Sequence, residues 1–158
     1  MSVITFLASV AVTGTVAGLG LGSSMGQIRD TLGDQYVADR RKKSLRLDYG
    51  LFEFNLYAGS CEAVGVQVHR LASGTDGLVP PVVSAHFQGF SGGVPISGLR
   101  EEIKKGGVRL LEELQRQHGY RRYRVVGSHV NLYVVDETAP GEPLEPGDLW
   151  SIMISGLS

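Results

Sequence analysis

The sequence predicts an α+β fold: an antiparallel sheet with helices packed on one face, laid out as two helix-then-meander halves. Three observations carry this reading. Apolar–polar alternation recurs in short runs separated by glycine-bearing turns. Helical periodicity with start and stop signals occurs in two places. The 158 residues include 22 glycines, about twice the usual share, without a collagen-like triplet period, so they serve turns and close backbone approaches. The length suits a single domain over residues 1–158, with halves 1–72 and 82–158 joined by a turn-rich connection. One cysteine cannot close an internal disulfide, and a net charge of −1 with 42% hydrophobic residues opposes wholesale disorder.

Residues 3–22 carry no charge, and such a run is long enough to span a bilayer. Thr5, Ser9, Thr13, Thr15 and several glycines interrupt it, and no basic n-region precedes it. Its β-branched content (Val3, Ile4, Val10, Val12, Val16 and the threonines) points to buried strands at 3–12 and 15–21, turned at Gly14. No membrane partner is expected, and a cytoplasmic location is the default. Ser24 and Gln27 then have capping-box spacing, Met25, Ile28 and Leu32 share one helical face, and Gly33 supplies the stop. A polar stretch, 34–44, contains Arg40, Arg41, Lys42 and Lys43. Strands are predicted at 45–49 and 51–57 about Gly50, with Glu53, Asn55 and Tyr57 alternating against Phe52, Phe54 and Leu56. A third strand, 64–71, sets Gly65, Gln67 and His69 against Val64, Val66 and Val68.

The second half begins with a strand at 82–87 and a glycine-rich loop at 88–98. A long amphipathic helix is predicted over 97–118, with Leu99, Ile103, Leu110, Leu111 and Leu114 inward, interrupted by Gly106 and Gly107 and ended by Gly119. A hairpin follows, 123–126 with 130–135 about Gly127 and Ser128, and a last strand at 149–155. The acidic, proline-bearing segment 136–148 between them reads as an exposed loop.

Tests for chemistry yield alternatives rather than a reaction. Gly22-Ser23-Ser24-Met25-Gly26 fits the G-x-S-x-G nucleophile elbow, with Asp76 or Asp136 and His129 available as partners of Ser24. Such an elbow needs a doubly wound parallel sheet, which the antiparallel pattern opposes, and helix capping by Ser24 explains the same residues. Gly18, Gly20 and Gly22 miss the dinucleotide-binding register, although a helix start can hold a phosphate. A small hydrolase or phosphate-ligand protein using residues 18–26 is therefore the alternative reading. Cys61 reads as a small buried apolar residue. His69, His86, His118 and His129 have no metal-ligand spacing, so no metal or cofactor is expected. Basic clusters at 40–43 and at Arg121, Arg122 and Arg124, with Arg46, Lys104 and Lys105, offer a weaker alternative, nucleic-acid binding. The balance of 15 basic against 16 acidic residues weighs against it.

The run Leu21-Gly22-Ser23-Ser24-Met25-Gly26-Gln27-Ile28-Arg29-Asp30-Thr31-Leu32-Gly33 resembles the glycine, short helix, leucine-glycine signature of two module types. These are β-lactamase inhibitor protein and outer-membrane assembly lipoprotein modules, where a short helix precedes antiparallel strands, sometimes in tandem. Leu47-Asp48-Tyr49-Gly50-Leu51-Phe52-Glu53-Phe54 and Val66-Gln67-Val68-His69-Arg70-Leu71 also resemble small bacterial immunity proteins of polymorphic toxin systems. The resemblance spans about residues 19–71, does not extend over 72–158, and lacks the lipobox cysteine. These families share no catalytic site. The resemblance implies a non-enzymatic protein-binding module, an immunity or inhibitor protein that blocks a cognate bacterial toxin. The expected contact residues are Glu53, Asn55, Tyr57, Gln67 and His69 on the wet side of the strands, or Asp136, Glu137, Glu142, Glu145 and Asp148 in the acidic loop. Segregation of that loop from the basic clusters favours electrostatic steering of a protein partner.

Overall fold

The computed structural model describes residues 2–107, 111–138 and 140–156. Its α+β architecture is built on one eight-stranded antiparallel sheet, so both halves share it. The first four strands are β1 (Val37–Arg41), β2 (Ser44–Asp48), β3 (Phe52–Tyr57) and β4 (Ser60–Val66). The second four are β5 (Leu111–Gln117), β6 (Tyr120–Val125), β7 (Val130–Val135) and β8 (Leu149–Ser155). The spatial order is β1-β2-β3-β4-β8-β7-β6-β5: two meanders meeting at a β4–β8 seam, where Val64 opposes Ile154 and Val66 opposes Ile152. Three helices, α1 (Val3–Thr13), α2 (Met25–Leu32) and α3 (Ile96–Lys105), and two 3-10 segments, Val68–Ser73 and Pro81–His86, accompany it.

Strict alternation along the strands makes two different faces. On the inner face a row of register partners, Leu47, Phe54, Val64, Ile154 and Val130, is buried throughout. The helices cover this face: the Phe6 ring of α1 lies 6.1 Å from Phe52 and 5.2 Å from Phe87, and Ile28, Leu32, Leu99 and Ile103 join the same cluster. Each such side chain contributes roughly 1.5–3 kcal/mol by leaving water. The outer face carries the opposite parity: Asp48, Glu53, Gly65, Met153, Asn131, Arg124 and Glu112 form one row across seven strands.

Several predicted elements change type. Residues 3–12 are helical, not a strand. Ser2 caps α1 by accepting from the Thr5 N–H, and Gly14 ends it in the left-handed region at φ 70°. Buried Val3, Phe6, Leu7, Val10 and Ala11 follow helical spacing, so packing of one face overrides the β-branched composition. Residues 15–21 form no strand either; Val16 and Leu19 exchange hydrogen bonds of 2.8 Å about Ala17 (φ 51°) and Gly18 (φ 82°). The strand predicted over 64–71 stops at Val66, and His69 stands on the 3-10 segment that follows. The strand predicted over 82–87 is instead the 3-10 segment Pro81–His86, started by Pro81 after Pro80 and capped by Phe87.

The polar stretch 34–44 holds edge strand β1, so the first meander has four strands, not three. The long helix predicted over 97–118 ends at Lys105, with Gly106 at its cap and Gly107 at φ 126°. Leu111 and Leu114 belong to β5, and Gly119 (φ 83°) serves the β5–β6 turn instead of a helix end. Leu110 falls outside the described residues.

The capping box is present: the Ser24 hydroxyl accepts from the Gln27 N–H at 3.2 Å, and Gln27 Oε1 accepts from the Ser24 N–H at 2.8 Å. The two halves repeat one local arrangement. Gly22 and Cys61 bond across to place α2 beside the start of β4, as Ile96 with Gly147 and Leu149 with Val94 place α3 beside the start of β8. The helices then cross over: α1 packs on α3, and the 3-10 turn Pro81–His86 packs on α2. Among the described residues, no helix is long and apolar enough to cross a membrane.

Candidate functional site

The outer face of the sheet gathers polar and aromatic side chains that no α-helix covers; the 3-10 segment Val68–Ser73 meets it at β8. Its densest polar network is an ion-pair cluster organised by Arg70. From the 3-10 segment, Arg70 Nη1 donates to the Gly50 carbonyl at 2.5 Å and to Asp48 Oδ1 at 3.3 Å, while Nη2 donates to Glu53 Oε1 at 3.1 Å. Gln67 Nε2 donates to the other Glu53 oxygen at 3.3 Å, and Arg46 stands 3.9 Å away. Both oxygens of Glu53 are therefore occupied, and the residue is only 8% exposed. It acts as a strut under the face instead of a free contact. Asn55 is half-buried beyond it and Tyr57 is 49% exposed. Asn55 helps line a hollow of about 510 Å³ with Asp39, Arg41, Arg46 and Glu62.

Gly65 lies on the central strand β4, where Gln67 and Met153 close over the space a side chain would fill. Past it the surface turns aromatic. The His69 imidazole stacks on Trp150 with centroids 4.0 Å apart and planes 3° from parallel, and its Nδ1 lies 3.2 Å from the Trp150 carbonyl oxygen. Burial pushes the His69 pKa down; the hydrogen bond to Trp150 opposes this, and the positive Arg70 adds to it. The Tyr120 ring lies 5.4 Å from that of Trp150, tilted by 52°. Tyr120, Tyr133, Trp150, Ser151, Met153 and Gln117 line a second hollow of about 320 Å³, which His118 completes.

The predicted acidic set divides. Glu137, Glu142 and Glu145 are exposed. Asp136 pairs with Arg116 at 3.1 Å. Asp148 accepts from the Glu145 N–H at 3.0 Å and fills the space that a side chain at Gly93 would need, so it is a structural residue. Leu144 is buried, and Val135 bonds Gly147 and Asp148 at 2.8 Å, which pins the loop at its base. The basic clusters are paired in part: Arg121 pairs with Glu113 at 3.3 Å, Arg124 with Glu112 at 3.1 Å, Lys105 with Glu102 at 3.3 Å, and within 40–43 Arg41 lies 3.7 Å from Asp39.

Of the predicted contact residues, Glu53, Gln67 and His69 come together through Arg70 and Trp150, with Asn55 and Tyr57 further along the same face. Trp150, Tyr120, Tyr133, Met153 and Arg122 join them on this face beyond the residues the sequence predicts. Their signal was strand parity: Tyr120, Arg122 and Arg124 alternate with buried Tyr123 and Val125, as Asn131 and Tyr133 alternate with Val130, Leu132 and Val134.

Ser24 has ordinary extended angles (φ −86°, ψ 162°) and spends its hydroxyl on the cap, where an elbow nucleophile would be strained and free. The glycine loop before it borders a hollow of about 400 Å³ shared with Thr13, Ser23, Ser128 and His129. Cys61 is buried, donates to the Ala63 carbonyl at 3.4 Å, and has its thiol pKa raised by burial. Compared with known proteins, the chain matches no family model, no curated protein and no solved structure.

Proposed function

We propose that this chain is a non-enzymatic protein-binding module of the bacterial cytoplasm, an immunity or inhibitor protein that occludes a cognate toxin with the outer face of its sheet. One observation carries the reading: the three α-helices cover the inner face, and on the outer face, where the 3-10 segment Val68–Ser73 touches the sheet, Tyr120, Tyr133, Trp150 and Met153 are half-exposed and Tyr57 is exposed. Tyrosine, tryptophan and arginine dominate the binding energy of protein interfaces, because they desolvate large rigid surfaces at small entropic cost. Eight strands at about 4.8 Å spacing span some 34 Å, wide enough for an interface of about 800 Å² per partner. The Arg70 cluster holds the strand ends beneath that surface in one geometry, which lowers the ordering cost of association.

The test is calorimetric titration of the purified protein with the toxin domain encoded beside it, using Tyr57→Ala and Tyr133→Ala together on the outer face. Thr5→Ala on α1, away from that face, is the control. A loss of at least a hundredfold for the face variant and none for the control is the expected outcome. Equal binding by both variants, or no binding by the unaltered protein, would sink the reading.

A further inference from the structure

Arg122 differs from its neighbours on the outer face. Arg41 lies 3.7 Å from Asp39, Arg46 lies 3.9 Å from Glu53, and Arg124 lies 3.1 Å from Glu112, so each has a carboxylate. Arg122 has none among the described residues: its Nη1 donates to the neutral Gln117 Oε1 at 3.0 Å, and its Nε is buried without an acceptor. An arginine always carries its charge, and a partly buried one without a counter-charge raises the free energy of the unbound protein. Its surroundings are specific. Arg122 stands two residues along β6 from Tyr120, opposes Tyr133 across the strand pair, and bonds Gln117. All three of those residues line the aromatic hollow beside Trp150 and Met153.

The geometry points to a two-part subsite: Arg122 takes a carboxylate side chain of a protein partner, and the Trp150 hollow takes the apolar or aromatic side chain next to it. The partner's contact segment is therefore acidic-aromatic. A basic segment would meet Arg122 with like charge, and Arg124 beside it is already neutralised by Glu112. The inference rests on the reading above only in making the occupant a protein.

Trp150 is the sole tryptophan of the chain, so its emission reports the hollow directly. The experiment titrates the full chain with three capped dipeptides: acetyl-Phe-Glu-amide, acetyl-Phe-Gln-amide and acetyl-Phe-Lys-amide. The expected result is saturable change with the Glu peptide, at least tenfold tighter than with the Gln peptide, weakened by salt, and no saturation with the Lys peptide. In Arg122→Gln the Glu preference should vanish, and Arg122→Lys should restore part of it. Equal binding of the Glu and Gln peptides by the unaltered protein overturns the subsite without reliance on any variant. So does the absence of saturation. An emission change that follows protein concentration alone, with a dimer mass in sedimentation, assigns the hollow to a second copy and also overturns it. Failure here leaves toxin binding by the wider face intact, whereas Glu-selective peptide binding without toxin binding removes the toxin reading alone.

Discussion

His69 and Gly50 show how much a single position can depend on distant parts of the chain. In its stack on Trp150, His69 has its pKa lowered, because burial disfavours the charged imidazole and Arg70 adds to that effect. Unfolded, it titrates near 6.5. Above that pH both states are neutral and the residue contributes nothing to the pH dependence. Below it the unfolded chain takes up the proton first, so stability falls until the lower folded pKa is passed. Urea midpoints measured from about pH 7 down to about pH 5 should therefore fall more steeply for the unaltered protein than for His69→Phe, which keeps a ring on Trp150. Matching slopes would refute the assignment. Gly50 has φ 92°, and a Cβ there would stand 2.5 Å from the Leu78 carbonyl oxygen, which already accepts from the Leu51 N–H at 2.9 Å. Gly50→Ala should cost at least about 1–3 kcal/mol in denaturant unfolding, from backbone strain alone. That Gly50 turns the chain is readable from its flanking strands. That Leu78 crowds it is not, because the two residues meet only in the folded molecule.

Among the elements, those with local signals were legible and those decided by packing were not. The capping box announces α2 within four residues, and β8 was predicted with its observed bounds because isolated apolar runs between prolines and glycines permit little else. In α1 the polar Thr5, Ser9 and Thr13 recur at helical spacing, yet β-branched composition pointed the other way. What settles it is burial of Phe6 against Phe52 and Phe87, residues from distant segments. The helix predicted over 97–118 overshoots α3 because Leu110, Leu111 and Leu114 continue its spacing in the sequence past the glycine pair, which alone marks the stop. Ser24→Ala separates the two roles considered for that hydroxyl. As a cap it should lose about 1 kcal/mol of stability, seen as a lower urea midpoint with the outer face and its binding unaltered. A loss of binding or of activity larger than that destabilisation would speak for a chemical role. The outer edges of the sheet need no such inference: β1 carries Asp39, Arg40 and Arg41 and β5 carries Glu112, Glu113 and Arg116, charges that discourage pairing with a further strand.

At the scale of the molecule the two meanders are joined in one sheet over one core. They share a core cluster, a continuous sheet, and a crossed helix arrangement in which α1 covers α3 and the turn Pro81–His86 covers α2. Fragments 1–72 and 82–158 should therefore lack cooperative unfolding transitions when made separately, and the whole chain should unfold in one transition with calorimetric and van't Hoff enthalpies equal. A stable, cooperatively melting fragment 1–72 would show the seam to be dispensable. The sequence displays the repeated order of elements but not the seam, since nothing in residues 60–66 names 149–155 as their neighbour.

That seam also sets a timetable. Val64 waits for Ile154, ninety residues downstream, before its strand has a partner on that side. At about 5–20 residues per second, a ribosome leaves β4 with an open apolar edge for roughly 5–20 s. During that interval the growing chain presents an unpaired strand edge, the kind of surface that aggregates or recruits chaperones.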